Sequence, residues 1–510
     1  MHRSTWSRLL GTISLGALVA SLAAAFAAAL VAAPASATAP TIDHPGFATP
    51  CKSTNTLQAC VDAAAAGATI VLTVQSIGQD VTISKSLTLK GGDRSLPSQL
   101  QLVTVKHTTG TDPVDVTLMD LSTGGIWANY DGGPGGDHLT IRRVGAGVSD
   151  VAPRGIQISA AVPVSVDVED SYARTGEQDA TSLVFDTSHP GGTSHVRFVG
   201  NRITQHGETA SGAGIVVWMS GGGTTRAVIA NNRVWDVAGS AGGDASGIFV
   251  YPNQHASADI TVVGNTIDRV GASGIELIDA ASSGHVTVNI FDNIVSHTTN
   301  GSGLSVGVAS PSSLTFHAGY NDFYQNDLDN VMRGLSAGPG NLDKDPKYVD
   351  RSNGDLRLTA SSPLIDRGQT CPTGGVVNHD ASGHARLAGT SVDMGAYERG
   401  AGAPTGVVRL GTSGGNTLTG TSGADILCGY GGRDVLKGLG GSDYLDGGSS
   451  DDKLAGGSGS DRLLGGSGND KLCSKDGTHG NDYANGGSGT DSGQRDSGDT
   501  QVSVEHATSC

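Results

Sequence analysis

The chain has 510 residues, with 78 Gly, only 4% aromatic residues and 16% charged residues. This length predicts two domains, and so much Gly with so few charged residues disfavours helical bundles. A formal net charge of −17 argues against nucleic acid as a partner, because an acidic protein and a polyanion repel each other.

The first 37 residues have the pattern of a secretory signal peptide. Arg3 and Arg8 precede an apolar run over residues 9–31, and Ala-Ser-Ala at 35–37 supplies an A-x-A cleavage site. The run is long enough to span a bilayer, so an uncleaved anchor is the alternative. No later stretch is apolar enough for a membrane helix. We therefore expect a secreted, extracellular protein with no membrane contact after signal cleavage.

The mature chain begins with a short helix followed by strands. The segment NTLQACVDAAAAGATIVL, from Asn55, predicts an amphipathic helix and a strand, and VTISKSLTLKGG, from Val81, predicts further strands. This segment resembles the N-terminal cap of right-handed parallel β-helix proteins. Cys51 and Cys60 are nine residues apart, and we expect them to form a disulfide within the cap.

A looser repeat of about thirty residues occupies residues 138–324. Two series of strands alternate along this region. Each strand of the first series carries an Asn, and the strands of the second series are RGIQIS, AGIVVW, SGIFVY, SGIELI and SGLSVG. Period-two apolar strands with Gly and Asn turns at this spacing predict a parallel β-helix. The Asn side chains are expected to stack as a structural amide ladder; they are Asn201, Asn232, Asn265, Asn293 and Asn321.

The alternation within the second series predicts which side chains point outwards. If the Ile or Leu after Gly points inwards, adjacent rungs display Trp218, Phe249 and Tyr251, with Asp186 and Glu276 beside them. Flat aromatic faces beside carboxylates suit the binding of sugar rings, and exposed apolar patches usually have a partner. The alternative is that a loop, such as residues 187–193, covers the rings.

Two arginines form another candidate binding feature. Arg202 and Arg233 each follow a ladder Asn on consecutive rungs. Their guanidinium groups would then lie about 5 Å apart and would favour an anion between them. The alternative is that both are solvated surface side chains.

Residues 353–398 resemble the closing segment of secreted right-handed β-helix proteins. The matching residues are Ser362, Pro363, Ile365, Asp366, Gly368, Arg386 and the run Val392-Asp393-Met394-Gly395-Ala396-Tyr397-Glu398. The resemblance implies an all-β fold in which a right-handed, single-stranded parallel β-helix spans residues 38–400. Residues 401–410, rich in Gly and Ala, are predicted to be a linker.

From Gly420 the chain repeats every nine residues, with an Asp two positions before a Leu. The pattern resembles the RTX calcium-binding β-roll, which implies a parallel β-roll with a C-terminal cap over residues 411–510. A disordered Gly/Asp-rich linker is the alternative. The implied metal ligands are Asp425, Asp434, Asp443, Asp452, Asp461, Asp470, Asp482 and Asp491.

Two repeats make one turn of such a roll, so aspartates eighteen residues apart stack about 4.7–4.9 Å apart. Carboxylates this close repel each other, and calcium relieves the repulsion because it takes about six to eight oxygen ligands. We therefore expect several Ca²⁺ ions and a roll that folds only with them. Ser450 replaces a Gly and predicts a weaker site near Asp452, while Asn416 marks the first unit as a cap.

Four further cysteines predict two more disulfides. Cys428 and Cys473 lie on opposite faces of the predicted roll, beyond the disulfide limit of roughly 7 Å between Cα atoms. We expect Cys371–Cys428 to join the two domains and Cys473–Cys510 to close the C-terminal cap.

A β-helix followed by RTX units resembles secreted mannuronan C5-epimerases and some polysaccharide lyases. The resemblance implies a general base near a uronate carboxylate. The epimerase segment Tyr-Gly-Phe-Asp-Pro-His is matched best by VFDTSHP at 184–190, which lacks the Tyr and alters the Asp–His spacing. Asp186, His189 and Glu276 are therefore the candidate catalytic residues.

Three functions follow from these observations. The first is a secreted calcium-binding protein whose β-helix presents a carbohydrate-binding face. The second is a calcium-dependent polysaccharide lyase or uronate C5-epimerase. The third is a non-catalytic cell-surface or matrix-binding protein that uses the same face. Calcium and polysaccharide are the expected partners.

Overall fold

The computed structural model describes residues 41–44, 51, 56–73, 77–92, 98–147, 155–175, 182–205, 212–237, 245–281, 283–308, 314–329 and 338–509. All of them belong to one compact unit that spans residues 41–510. The predicted signal peptide lies outside the described residues. Within those residues, no helix is both long enough and apolar enough to cross a bilayer.

Up to residue 324 the chain coils through three parallel sheets, and from β3 onwards each coil adds one strand to each sheet. The long sheet contains β1 (Thr41–His44), β2 (Ala68–Leu72), β4 (Leu87–Gly91), β7 (Asp115–Met119), β10 (Asp137–Arg142), β13 (Val164–Glu169), β16 (Thr193–Val199), β19 (Thr224–Ala230), β22 (Ser257–Val263), β25 (Val286–Phe291) and β28 (Leu314–Gly319).

The second sheet, which we call the ladder sheet, contains β5 (Ser98–Leu100), β8 (Leu121–Thr123), β11 (Gly145–Ala146), β14 (Tyr172–Thr175), β17 (Arg202–Gln205), β20 (Arg233–Val237), β23 (Thr266–Val270), β26 (Ile294–Ser296) and β29 (Asp322–Tyr324). The third, which we call the aromatic sheet, contains β3 (Val81–Ile83), β6 (Val103–Lys106), β9 (Ile126–Tyr130), β12 (Ile156–Ala160), β15 (Leu183–Thr187), β18 (Ile215–Met219), β21 (Ile248–Gln254), β24 (Ile275–Ala281) and β27 (Leu304–Val308).

Alternating burial along the strands explains why the chain coils in this way. In β12, Ile156, Ile158 and Ala160 are buried, whereas Gln157 is half-buried and Ser159 is exposed. Successive side chains of a strand point to opposite faces, so every strand sends one set of apolar side chains into a shared core. That core is a single cluster that follows the coil from the N-terminal cap to β28.

The asparagine ladder is confirmed. Each Nδ2 donates to the Oδ1 of the next Asn: Asn201 to Asn232 at 3.0 Å, Asn232 to Asn265 at 3.0 Å, Asn265 to Asn293 at 2.9 Å and Asn293 to Asn321 at 2.9 Å. The structure extends the ladder by one member, because Asn321 donates to Asn341 at 3.3 Å. The Asn side chains hydrogen-bond to one another and to backbone N–H and C=O groups at the bends of the coil. Their role is therefore structural.

The N-terminal cap contains the expected helix and the expected disulfide. The helix α1 (Leu57–Ala63) begins at Thr56, whose hydroxyl accepts from the Ala59 N–H at 3.2 Å, as an N-cap residue does. The disulfide Cys51–Cys60 ties the helix to the preceding segment. The helix buries Leu57 and Val61 on the end of the core, and so shields it from water.

The closing segment, residues 338–400, packs on the outside of the last coils. Its only regular elements are the antiparallel pair β30 (Tyr348–Asp350) and β31 (Asp355–Leu358), joined by a 3₁₀ turn at Arg351–Asn353. Arg386 is buried, where it pairs with Glu398 at 3.3 Å and donates to the carbonyl oxygens of Asp393 and Gly395. A buried guanidinium with three acceptors holds this irregular backbone in place.

Two six-stranded parallel sheets form the C-terminal roll. One contains β32 (Val408–Thr412), β34 (Ile426–Tyr430), β36 (Tyr444–Ser449), β38 (Arg462–Ser467), β40 (Tyr483–Ser488) and β42 (Thr500–Val502). The other contains β33 (Thr417–Thr419), β35 (Val435–Gly440), β37 (Lys453–Ser458), β39 (Lys471–Cys473), β41 (Ser492–Gln494) and β43 (His506–Ala507). The repeat leucines fill the space between the sheets: Leu427, Leu436, Leu445, Leu454, Leu463 and Leu472.

The roll is docked on the closing segment. One apolar cluster contains Cys371 and Val376 of the closing segment together with Ile426 and Tyr444 of the roll. The Cys371–Cys428 disulfide crosses this contact as expected, and the Tyr430 hydroxyl donates to the Pro372 carbonyl oxygen at 3.0 Å. Cys473 also forms a disulfide, and its expected partner, Cys510, lies outside the described residues.

The roll starts before the boundary expected at residue 411. β32 begins at Val408 and pairs with β34 in parallel register, Val408 beside Ile426. Three residues assigned to the linker therefore belong to the first strand of the roll. Val408, Arg409 and Leu410 extend the pairing with β34, which the Gly/Ala content of the preceding residues did not indicate.

Candidate functional site: an aspartate ladder and an aromatic face

The repeat aspartates form two continuous rows. The N–H of each Asp donates to the Oδ1 of the Asp one turn later: Asp425 to Asp443 at 2.9 Å, Asp443 to Asp461 at 3.0 Å, Asp461 to Asp482 at 2.8 Å, Asp434 to Asp452 at 2.7 Å, Asp452 to Asp470 at 2.8 Å and Asp470 to Asp491 at 2.7 Å. The three extra residues at 474–476 do not interrupt either row. The hydrogen-bonded rows explain why the register must be strict.

The second oxygen of nearly every ladder carboxylate is left without a partner. Among the described residues, the buried Oδ2 atoms that make no hydrogen bond include those of Asp434, Asp443, Asp452, Asp461, Asp470, Asp482 and Asp491. Burying a charged oxygen without a donor or a cation costs several kcal/mol. Asp425 differs, because its Oδ2 accepts from the Thr421 N–H at 2.6 Å, so it is the weakest candidate ligand of the set.

The first glycine of each repeat lies directly beside these oxygens. A Cβ atom added at Gly429 would lie 2.4 Å from Asp434 Oδ2 and 2.6 Å from the Gly447 carbonyl oxygen. At Gly438 it would lie 2.2 Å from Asp443 Oδ2. The missing side chain thus leaves a space that carboxylate and carbonyl oxygens line together, which is the donor set that calcium takes.

Burial makes these carboxylates hard to ionise without a cation. It raises the pKa of Asp443 to about 7 and that of Asp461 to about 6, with a smaller contribution from neighbouring carboxylates. Across the described residues, no three His, Cys, Asp or Glu side chains converge to hold a metal by themselves. Main-chain oxygens must therefore complete any site in the roll, and the glycine spaces supply them.

The predicted aromatic face is present and open. Parallel register places Asp186, Trp218 and Tyr251 at neighbouring positions on β15, β18 and β21. The ring centroids of Trp218 and Tyr251 are 4.3 Å apart, and those of Phe249 and Tyr251 are 5.9 Å apart. Trp218 is 40% exposed, so residues 187–193 do not cover it.

Glu276 lies at the edge of this face. It stands beside Phe249 on the next strand, and its Oε2 accepts a hydrogen bond from the Ser246 hydroxyl. β15 and β24 are three strands apart in the aromatic sheet, so Asp186 and Glu276 are separated by about 14 Å along the axis. The two carboxylates of a glycoside hydrolase lie roughly 5–9.5 Å apart, so strands at this separation do not favour a hydrolase pair.

Comparison with known proteins agrees with both halves of the chain. A family model described as "Right handed beta helix region" matches residues 185–326. A second, "RTX calcium-binding nonapeptide repeat (4 copies)", matches residues 410–445 and 437–472. The chain is a right-handed parallel β-helix followed by an RTX calcium-binding domain. The predicted all-β fold class and the order of its two parts are therefore confirmed, and calcium is the metal of the RTX domain.

The solved structures that this β-helix–RTX protein resembles are distant. A crystal structure of pectate lyase Pel9A shares 14% sequence identity over 71% of this chain and 96% of that chain, with a TM-score of 0.41. A PL6 family alginate lyase, AlyGC, shares 10% identity over 89% of this chain and 75% of that chain, with a TM-score of 0.18. No curated protein matches the chain.

The structure argues against His189 as a general base. His189 is only 1% exposed. Its Nδ1 lies 3.0 Å from the Gly191 carbonyl oxygen and its Nε2 lies 2.9 Å from the Ser194 hydroxyl. Burial also lowers its pKa. Both ring nitrogens are committed inside a turn, so His189 shapes the loop and is not accessible to a substrate.

The predicted anion site between two arginines is also not supported. Arg202 and Arg233 are paired neighbours on β17 and β20, but these strands belong to the ladder sheet, away from Trp218. Arg233 donates to the Tyr397 hydroxyl at 3.1 Å and stacks over Trp235 at 4.3 Å. One of the two guanidinium groups therefore anchors the closing segment, and only Arg202 remains exposed.

Sequence reasoning missed one residue of the aromatic face. Trp127 on β9 is 45% exposed and occupies an outward position of the same sheet, beside Gln157. The signal was present, because Gly125-Ile126 has the same Gly-Ile start as the strands that were recognised. Two exposed tryptophans thus lie on one sheet.

Proposed function

We propose that this protein is an exported polysaccharide-binding protein whose RTX domain is held folded by calcium. The single observation that carries the proposal is the open cluster of Trp218, Phe249 and Tyr251. Trp218 is exposed, and Phe249 and Tyr251 beside it are half-buried. Such a cluster presents flat apolar faces, and the C–H faces of sugar rings pack on such surfaces. Exposed aromatic clusters of this kind are uncommon on soluble proteins without a partner.

Calcium supplies positive charge to the aspartate ladder. The residues that would hold it are the ladder aspartates with a free Oδ2, such as Asp443 and Asp452, together with carbonyl oxygens of the repeat glycines. The chain's own contribution is the two rows of N–H to Oδ1 bonds, which fix each carboxylate so that its other oxygen faces the glycine space. We infer several ions, since seven such oxygens are present.

The chemistry of the face favours binding over catalysis. Asp186 is exposed and separated from Glu276 by three rungs, and His189 is enclosed. Disulfides at Cys51–Cys60 and Cys371–Cys428 fit an oxidising compartment, which supports export. Binding of cell-surface or matrix polysaccharides through the same aromatic face would make the protein a non-catalytic surface or matrix-binding protein.

Glycan binding by the full-length protein with calcium present tests the proposal. Trp218→Ala is expected to weaken binding by about 30-fold, since a central aromatic contact contributes roughly 2 kcal/mol, while Trp218→Phe keeps a ring and loses less. Val349→Ala, which alters an exposed apolar residue of the closing segment, serves as the matched control. Equal affinity of Trp218→Ala and the unaltered protein would overturn the assignment of this face.

Activity assays separate the binder from the enzymes. Incubation with uronate polymers should give no unsaturated product by ultraviolet absorbance and no change in the polymer's proton NMR spectrum. Product that is lost on Asp186→Asn substitution would instead establish a lyase or an epimerase.

A further inference from the structure

The aromatic sheet carries almost no positive charge. The only Lys, Arg or His in its described strands is Lys106 on β6, at one end of the sheet. From β9 to β27 the charged side chains are Asp186, Glu276 and Asp279, all acidic, and Asp279 is buried. The described strands around the aromatic rings therefore present neutral and acidic side chains.

Lys106 is far from the aromatic cluster but close to Trp127, because it pairs with Asn129 on β9, the strand that carries Trp127. β6 and β18 are four strands apart, which places Lys106 about 19 Å from Trp218 along the axis. Exposed charges interact over about 8–10 Å at physiological ionic strength. The arginines Arg202 and Arg233 belong to the ladder sheet, a different sheet of the coil, and Arg233 is held there by Tyr397.

This charge pattern is unsuited to a uronate polymer. Each uronate residue carries a carboxylate, and a ligand rich in carboxylates is normally met by arginine or lysine side chains. Here it would meet Asp186 beside Trp218 and Glu276 beside Phe249. Both acids are instead suited to accept hydrogen bonds from sugar hydroxyls, which are neutral donors.

The two exposed tryptophans set the direction and length of the ligand. Trp127 on β9 and Trp218 on β18 are separated by three rungs, or about 14 Å along the axis. The outward side chains of the two strands between them are Gln157 and Ser159 on β12 and Val184 and Asp186 on β15, and none of them is aromatic. A single sugar ring cannot touch both tryptophans, whereas an extended chain parallel to the axis can.

We propose that the aromatic sheet binds an uncharged polysaccharide whose chain lies along the β-helix axis, from Trp127 past Trp218 to Tyr251, and that Asp186 and Glu276 exclude polyuronates. This inference rests on the proposed function, since it names the class of polysaccharide for the same face. It departs from the uronate substrates that the epimerase and lyase resemblance implied.

The test compares short, soluble oligosaccharides of a β-glucan and a galactomannan with oligomannuronate and oligogalacturonate. The full-length protein is used with calcium, at ionic strengths of about 0.01 M and about 1 M, where the Debye lengths are about 30 Å and 3 Å. Binding of an uncharged glycan should change less than about 3-fold between the two salt concentrations, and Trp127→Ala and Trp218→Ala should each weaken it. Uronates should bind more weakly than the uncharged glycans, and more weakly at low salt than at high salt, because salt screens the repulsion between like charges.

The Asp186→Asn variant tests the role of charge directly, because Asp186 is exposed and Asn has nearly the same shape without the charge. The variant should raise uronate binding at low salt about five-fold, the effect of removing one close pair of like charges in water. It should not strengthen the binding of an uncharged glycan, which loses a charged hydrogen-bond acceptor. A thermal melt confirms that the variant is folded.

The outcomes distinguish the two proposals. Tighter binding of uronates than of uncharged glycans would overturn this inference and leave polysaccharide binding intact. Binding of an uncharged glycan that Trp127→Ala leaves unchanged would overturn the extended path. If neither class binds, the proposed function itself fails.

Discussion

Without calcium, the RTX domain is expected to unfold near pH 8 and to regain order near pH 5, because protons then replace the cation on the ladder. Burial raises the ladder pKa values: those of Asp443, Asp452 and Asp482 to about 7, and those of Asp461 and Asp470 to about 6. In an unfolded chain the Asp pKa is about 3.9. The folded domain therefore binds more protons between about pH 4 and pH 7, and its stability falls as the pH rises through that range.

The size of the effect decides whether the domain unfolds. One unit of pKa corresponds to about 1.4 kcal/mol, and we discount each carboxylate to about 1 kcal/mol because solvent screens part of the charge. Five such aspartates then destabilise the calcium-free domain by about 5 kcal/mol above pH 7. The whole stability of a typical domain is about 5–15 kcal/mol, so the penalty is large enough to unfold it.

Limited proteolysis with mass spectrometry and far-ultraviolet circular dichroism of the full-length protein in chelator measure the transition. Cleavage within residues 420–500 should be fast near pH 8 and slow near pH 5, and calcium should abolish the difference. Asp451→Asn is the control: Asp451 lies outside the rows and pairs on the surface with Arg433 at 2.7 Å. Equal protection at both pH values without calcium would refute the account of the ladder.

Three further changes test other parts of the fold. Ser450→Gly should raise the free energy of unfolding by about 1 kcal/mol in calcium-saturated melts, because Ser450 has a φ of 84° that costs an L-residue energy. Asn265→Ala should destabilise the β-helix by about 3 kcal/mol in urea, since it leaves several buried partners unsatisfied, while Asn341→Ala at the ladder's end should cost less than half as much. The Cys371→Ser/Cys428→Ser double variant should lose about 2–4 kcal/mol with no change in calcium stoichiometry by titration calorimetry.

Each of these three predictions could be contradicted by a specific result. An unchanged melt for Ser450→Gly would mean that the local backbone relaxes without strain. Equal losses for the two Asn variants would mean that the ladder does not act as a continuous buried chain. Fewer bound ions in the double Cys variant would mean that docking, and not the repeat alone, forms the calcium sites.

Period and alternation were sufficient to predict the regular parts of the molecule. The nine-residue spacing places Asp443 above Asp425 because the stacking distance of parallel strands is fixed, and the ladder followed from it. The alternation in β18 and β21 likewise predicted that Trp218 and Tyr251 would meet. The nine-residue spacing and the alternation of side chains are local rules. They predict the whole coil because every rung repeats them.

Contacts between distant segments could not be predicted in this way. Arg233 donates a hydrogen bond to Tyr397, which is 164 residues away in sequence. No sequence pattern around Arg233 predicts that partner. His189 was assigned by its nearness to Asp186 in sequence, yet the turn folds its ring inwards onto Ser194. The free Oδ2 atoms were also not foreseen, because which carboxylate oxygen is satisfied depends on side-chain rotamers and not on spacing.

The docking of the roll limits how the chain can be divided. Tyr430 and Leu410 lie over Pro372 and Gly375, so the roll covers the apolar surface around Val376. A protein truncated before residue 408 would expose that surface to water and invite self-association. Truncation experiments that aim to isolate the β-helix should therefore retain the first turns of the roll, or replace the apolar side chains that those turns cover.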